Sequence, residues 1–419
     1  MAALSPLAAL FALPYPTTPR PARRSHVVCR AAPSWSSLEA ALPSSTCPQP
    51  RLIDAALHPA KPDLGNSLTL FRERNGWCPY SERVWLTMEV KSLDYQTVLI
   101  DNTGGGKPSW YRGNTPQLRW PDGRVQDESL ELMRALDDAF PDSPRLWPPS
   151  GVDPAAVSEA VRAFKSTFPR SARPSSRAAF LYDFNGPLPR SEFERTLDAT
   201  DAWLARSPGP FFCGGALSAA DIAWVPFLER YAAQLPCLHD GLEPRDASRW
   251  PRLAEWYDAM EARVPAYACR VQGDAASWRK VLTVAGYGNA GAPPRLLRDE
   301  AAACRRDAAA DADGTWAAYA AGRPHVAASP CEEAAARLVR SRRLLAADAA
   351  RRIERTAESA ADEALRGVAA ALLALRSGDG MPALSPTEAA LAKYLAERMC
   401  VPRDMGAPAA QALRSLSSA

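Results

Sequence analysis

Between Leu68 and Lys91 the pattern of apolar and polar positions changes period. Leu68 and Leu70 alternate with Thr69 and Phe71 at strand spacing, and Asn75-Gly76 breaks the run. Val84, Met88 and Lys91 then recur at helical spacing, with Pro79 in the first turn, where its missing N–H is no loss. The pattern predicts strand, turn and helix, with Cys78 at the junction. Free N–H groups and the dipole at a helix start favour an anion, and the thiolate is the reactive form of cysteine. Cys78 is therefore a candidate nucleophile. The plainer reading of a lone cysteine is a small buried residue.

The pattern continues with a second strand over Tyr95–Asp101 and a glycine loop over Thr103–Gly106. A third strand covers Thr115–Trp120 from Pro116, and a turn at Pro121-Asp122-Gly123 leads to a partner at Arg124-Val125. Glu128-Ser129 leads into a helix over Leu130–Phe140. The order β-α-β, β-β-α predicts a thioredoxin-like domain over 67–140. A proline opening a central strand that faces a reactive cysteine makes Pro116 a candidate cis-proline. Glu128 and Ser129, at a helix start, are suited to holding a carboxylate and an ammonium together; Ser129 also reads as a plain N-cap.

Beyond a linker at Arg145–Asp153 the period is helical throughout. Helices are predicted at Pro154–Phe168, Arg190–Arg206, Ser218–Leu235 and Arg252–Val264, an all-α domain over 153–290. Ser218–Asp221 is a capping box with Leu217 and Ile222 as its staple, so Asp221 is assigned to folding. Trp224, Phe227 and Tyr231 read as core, with an electrophile pocket as the alternative. Residues 295–419 form a helical extension. Glu332–Arg376 is free of proline, with a thin stripe of Leu338, Leu345, Leu365, Leu372 and Leu373. Ser385-Pro386 opens a further helix. Cys400–Ala410 stands out in composition without suggesting a chemistry. The extension is expected either to pack on the helical domain, to offer a partner surface, or to be a solvated tail.

Composition narrows the function classes. The chain has 419 residues, 47% of them hydrophobic, and no apolar run of membrane-spanning length. Its nine cysteines lack metal-ligand or disulfide-framework spacing, and four histidines make a histidine triad or a metal site improbable. Arg20, Arg23, Arg24 and Arg30 precede the first acid, Glu39, so 1–30 reads as a transit peptide, plastid in type with mitochondrial import as the alternative. Residues 31–66, rich in Pro and Ser, read as linker. Removing those four arginines takes the formal charge from +3 to about −1, which argues against nucleic acid as a partner.

The residues also carry a family resemblance. W-C-P-Y-S-E-R-V-W-L resembles the active-site segment of cysteine-type glutathione transferases: the omega and lambda classes and the dehydroascorbate reductases. It is also similar to glutaredoxins, whose dithiol members carry a second cysteine where this chain has Ser81. G-G-A-L-S-A-A-D-I at 214–222 and Trp250–Tyr267 resemble the family's helical domain, so the resemblance covers about Ser67 to Arg270. It implies glutathione as co-substrate, without a metal. It implies Cys78 as the catalytic thiol, Thr115 before the cis-Pro116 holding the cysteinyl main chain, and Glu128-Ser129 gripping the γ-glutamyl end. Between Trp110 and Thr115 this chain is shorter than the family pattern, with Arg112 and Lys107 as candidate substitutes for lost contacts. The implied activity is thiol transfer or reduction through a mixed disulfide on Cys78, the substrate being a small or protein disulfide or an electrophile. No nucleic acid or membrane is implied. The alternative from another class is a non-catalytic binding or scaffold protein whose extension recruits a partner.

Overall fold

The computed structural model describes residues 32–42, 52–55, 58, 60–102, 107–169, 181–183, 186–281, 312–353, 356–376 and 382–417. The transit-peptide reading of 1–30 and the glycine loop at 103–106 lie outside these.

A five-stranded mixed sheet builds the first domain. β1 (Leu52–Asp54), β2 (Thr69–Glu73), β3 (Gln96–Ile100), β4 (Gln117–Arg119) and β5 (Val125–Gln126) stand in the order β1-β3-β2-β4-β5. β3 pairs in parallel with β1 and β2, while β4 is antiparallel to both β2 and β5. The parallel strands β2 and β3 are buried throughout, as covered parallel strands are. The helix Pro79–Val90 connects β2 to β3, and Ser129–Ala139 follows the β4–β5 hairpin. This is the thioredoxin-like arrangement that the periodicity predicts. Lys91 sits at the end of the Pro79–Val90 helix, where its buried ammonium pairs with the buried Asp137 at 2.9 Å. Asp137 also accepts the N–H groups of Leu146 and Trp147, so it secures the interdomain connection as well.

The predicted helices of the second domain form with shifts of a few residues at their ends: Pro154–Thr167, Arg190–Leu204, Ala219–Leu238 and Pro251–Arg263. Ala219–Leu238 is buried on nearly every side, as an all-round apolar helix must be. The Asp221 carboxylate, wholly buried, accepts the N–H groups of Phe212 and Ser218, the Ser218 hydroxyl and the Trp256 indole. Trp224, Phe227 and Tyr231 lie in a core continuous with that of the first domain. A π-helical turn at Tyr267–Val271 and a helix at Ala275–Val281 follow.

The stretch read as linker, 31–66, is corrected by the structure. It holds a helix, Trp35–Ala41, and the edge strand β1. Ser34 caps the helix, and Leu38 and Leu42 give it a buried face.

The extension is not a solvated tail. Helix Ala312–Ala320 joins the core of the first two domains through Trp316 and Tyr319. Helices Pro330–Arg352, Glu358–Arg376, Pro386–Arg398 and Ala407–Ser417 pack around alanine and leucine, and Leu38 and Leu42 enter that same second core. The proline-free run is two helices, not one. Ser329 caps the first and Pro330 opens it; the first ends at Arg352, and the second runs from Glu358 and shares its core. Small alanines bring helices close, which explains how so thin a leucine stripe supports a core.

Candidate functional site

Three elements converge on Cys78. Glu73 ends β2, and its carboxylate accepts the N–H of Asn75 at 2.8 Å and of Trp77 at 2.7 Å. Gly76 completes this turn at φ 75°, a left-handed conformation that a side chain would strain. Cys78 is then the N-cap of the Pro79–Val90 helix, with no side-chain capping bond. Its Sγ lies 3.7 Å from the Thr115 carbonyl oxygen, and the residue is only 2% exposed. The thiol therefore stands at the free N–H groups of a helix start, within reach of one backbone acceptor.

Thr115 belongs to the loop before β4, and the Thr115–Pro116 peptide is cis. The Thr115 hydroxyl accepts the Asn102 amide at 2.8 Å, tying this loop to the end of β3. Tyr111, buried nearby, donates to the Asn114 carbonyl at 2.9 Å. Burial, with Cys78 and Asp127 adding their charge, pushes the Tyr111 hydroxyl up, so it stays a hydrogen-bond donor. Lys107 is occupied by the Gly113 carbonyl and the Asn114 side chain.

The β4–β5 hairpin delivers the remaining pair. Glu128, not Ser129, is the N-cap of the Ser129–Ala139 helix. Its backbone takes φ 64°, uncommon for a side-chain-bearing residue and a mark of a position set by its surroundings. Glu128 is exposed and makes no capping bond, whereas Ser129 is buried as the first helical residue. The simple N-cap reading of Ser129 therefore does not hold.

Arg83 is the residue that sequence reasoning missed. It sits on the same helix as Cys78, and its Nη1 lies 3.5 Å from the Ser129 hydroxyl. Its Nε donates to the Ala223 carbonyl at 2.8 Å, and the rings of Phe164, Phe227 and Tyr80 surround the guanidinium. Among the described residues no carboxylate pairs with it, and its Nη2 is buried without a partner. Burial pulls the guanidinium down to about 10, opposed by Tyr80, Glu82 and Cys78. The available sign was W-C-P-Y-S-E-R itself, with the arginine on the face between Cys78 and the second domain. The structure thus brings Cys78 to Thr115 directly and links the Cys78 helix to Ser129 through Arg83. Glu128 stays at the solvent edge. Among the described residues no group of His, Cys, Asp and Glu is placed to hold a metal.

Two sequence families coincide with this architecture. The family described as "Glutathione S-transferase, N-terminal domain" matches residues 77–139, and "Glutathione S-transferase, C-terminal domain" matches 190–259. Protein IN2-1 of Zea mays is 31% identical over 200 residues, 46% of this chain and 76% of that protein. Glutathione S-transferase L3 of Arabidopsis thaliana is 28% identical over 189 residues, 44% and 74% of the two chains. Glutathione S-transferase L2, chloroplastic, of the same plant is 27% identical over 197 residues, 45% and 62%. The thioredoxin-like sheet, the helical second domain with its buried Asp221 cap, and these matches agree: the chain belongs to the glutathione S-transferase family.

Proposed function

We propose that the chain is a glutathione-dependent thiol transferase or reductase that works through a mixed disulfide on Cys78. The observation that carries this reading is a cysteine at the N-cap of the Pro79–Val90 helix, beside the Thr115 carbonyl. Serine and tyrosine hydroxyls activate glutathione's own thiolate, whereas a cysteine at that place forms a disulfide with it. In the proposed cycle the Cys78 thiolate attacks the glutathionyl sulfur of a mixed disulfide. The other thiol leaves as thiolate and takes a proton. A glutathione thiolate from solution then attacks the Cys78 adduct, releasing oxidised glutathione and the Cys78 thiolate. With dehydroascorbate as substrate, Cys78 and one glutathione supply two electrons and two protons and are left as the mixed disulfide, which a second glutathione resolves to oxidised glutathione and the Cys78 thiolate. Ser81 replaces a resolving cysteine, so the cycle uses one protein thiol.

In this reading Thr115 and Pro116 present main chain to the cysteinyl part of glutathione, and Glu128 and Ser129 hold its γ-glutamyl end. Residues 67–140 bind glutathione, 153–290 complete the transferase body, and 295–419 support it. Residues 1–30 are proposed to direct plastid import, in keeping with their acid-free, arginine-bearing composition and the chloroplastic relative.

Intact mass after oxidised glutathione, with peptide mapping, tests the cycle. One glutathionyl group is expected on Cys78, removed by added glutathione. Ser81→Ala should keep most turnover and Cys78→Ala should lose it. An adduct on Cys213 or Cys400 with none on Cys78 would overturn the reading in favour of a binding or scaffold protein.

A further inference from the structure

Cys400–Ala410, the segment without a chemistry of its own, lies against the loop that carries Cys78. A Cβ added to Gly76 would stand 3.4 Å from Pro402 Cγ. Trp77 and Cys400 share an apolar cluster with Ala233, Ala275, Trp278 and Val281. The Arg403 guanidinium feels the charge of Glu73, the carboxylate that holds the Asn75 and Trp77 N–H groups.

The segment is itself tightly held. The Val401 N–H donates to the Ser277 hydroxyl at 2.7 Å, and the Cys400 N–H to Asp404 at 2.9 Å. Arg414, in the last helix, pairs with the buried Asp274 at the start of the Ala275–Val281 helix. Gly406 rests on the Cys269 carbonyl of the π-helical turn, so closely that a Cβ there would overlap the oxygen. Only glycine fits that approach.

We propose that residues 400–406 are a positioning element for Cys78: they brace the 73–78 turn and so set the line along which the thiolate meets its target sulfur. The proposal rests on the thiol-transfer reading above. Attack at a disulfide requires the incoming sulfur in line with the bond that breaks, so a loop misplaced by an ångström costs turnover steeply. The groups proposed to hold glutathione stand on other elements, the loop before β4 and the helix from Ser129. Loss of the brace should therefore lower kcat and spare KM for glutathione.

The test uses the full chain carrying Gly406→Ala, with Arg414→Gln as a second variant that removes the charge paired with Asp274 and Arg414→Lys as its conservative control. Turnover is read with hydroxyethyl disulfide and glutathione, and the rate of Cys78 alkylation by iodoacetamide is followed at neutral pH. Gly406→Ala should lower kcat about 10-fold or more, with KM for glutathione nearly unchanged. Cys78 alkylation should accelerate as the almost fully buried thiol becomes accessible. Arg414→Gln should move both readouts the same way, and Arg414→Lys should restore them. A fall in melting temperature with kcat and alkylation at wild-type values would overturn the brace and leave a purely stabilising role. If the wild-type chain shows no turnover, the thiol-transfer reading falls separately. The alkylation rates then still decide: faster in Gly406→Ala supports the brace, and equal rates overturn it.

Discussion

Arg83 has an uncommon environment for a guanidinium. A guanidinium held in a dry aromatic niche without a carboxylate is costly, because ions leave water at a high price in free energy. Its hydroxyl partner, Ser129, is one of the two residues proposed to meet the γ-glutamyl end. We expect Arg83→Met and Ser129→Ala each to weaken glutathione binding, by about 1.5–3 kcal/mol for a charge-assisted hydrogen bond. If Arg83 acts through Ser129, the double variant should bind no worse than the poorer single one. Titration calorimetry on the four proteins reads this. Additive losses would show that the two residues act apart. Two other thiols, the half-buried Cys213 and the buried Cys269, give a background for chemical labelling: burial pushes Cys213 up to about 11 and Cys269 up to about 12. Neither should be alkylated appreciably near neutral pH.

At the scale of elements, local chemistry was readable wherever a signal is short-range. The strand–turn–helix of Cys78, the hairpin at Pro121–Gly123 and the Ser218–Asp221 box depend on residues within a few positions of one another, and each forms where its pattern stands. What escaped depends on distant partners. The Trp35–Ala41 helix is seven residues long and owes its place to Leu38 and Leu42 entering the core of helices three hundred positions away; alone, so short a helix is unstable in water. β1 is three residues long and is defined by pairing with β3. Arg83 reads on paper as a solvated helix charge, and only the arrival of Phe164, Phe227 and Ala223 buries it. The Asp221 box was legible, but its two further donors, Phe212 and Trp256, were not. Four donors converge on that carboxylate, so Asp221→Ala should destabilise the chain by roughly 3–5 kcal/mol, because several buried neutral donors lose their acceptor at about 1–3 kcal/mol each. Glutathione affinity measured below the transition should be retained. Thermal unfolding checks the first claim, and an unchanged melting temperature would refute it.

Across the whole molecule, the two domains meet at a buried charge cluster. Arg230 pairs with Glu82 at 2.7 Å, donates to the Trp77 carbonyl at 3.2 Å and stacks on Trp278. Glu229 accepts the Gly273 N–H at 2.8 Å and the Trp278 indole. Glu82 Oε1 and Glu229 Oε2 are both buried without a partner, and burial pushes both carboxyls up. A proton shared between them would satisfy both oxygens. Burial, then the charge of Glu82, pushes Glu229 well above the ordinary carboxylate range. A carboxyl raised on folding stabilises fully below its unfolded value and loses that contribution as pH rises toward its folded value. The wild-type chain should therefore lose stability from about pH 5 upward, by about 1.4 kcal/mol per unit at most from this group. Glu229→Gln keeps the acceptor for Gly273 and Trp278 and gives Glu82 a permanent donor. Its melting temperature should match wild type near pH 4.5 and exceed it increasingly above. Parallel curves for the two proteins would rule out the shared proton.

The Trp35 indole donates to Asp362 at 2.9 Å, across 327 positions of chain, and Arg342 pairs with Glu39 beside it. The beginning and the end of the described chain thus close one core between them. During synthesis the Trp35–Ala41 segment leaves the ribosome long before its partner exists. At about 5–20 residues per second the wait is roughly 15–65 s. For that interval Trp35, Leu38 and Leu42 have no native surface to cover them, and the extension's core can close only after the last helix has emerged. The uncovered Trp35–Ala41 segment is therefore expected to draw chaperones during synthesis, and a ribosome stalled before residue 362 should leave it uncovered.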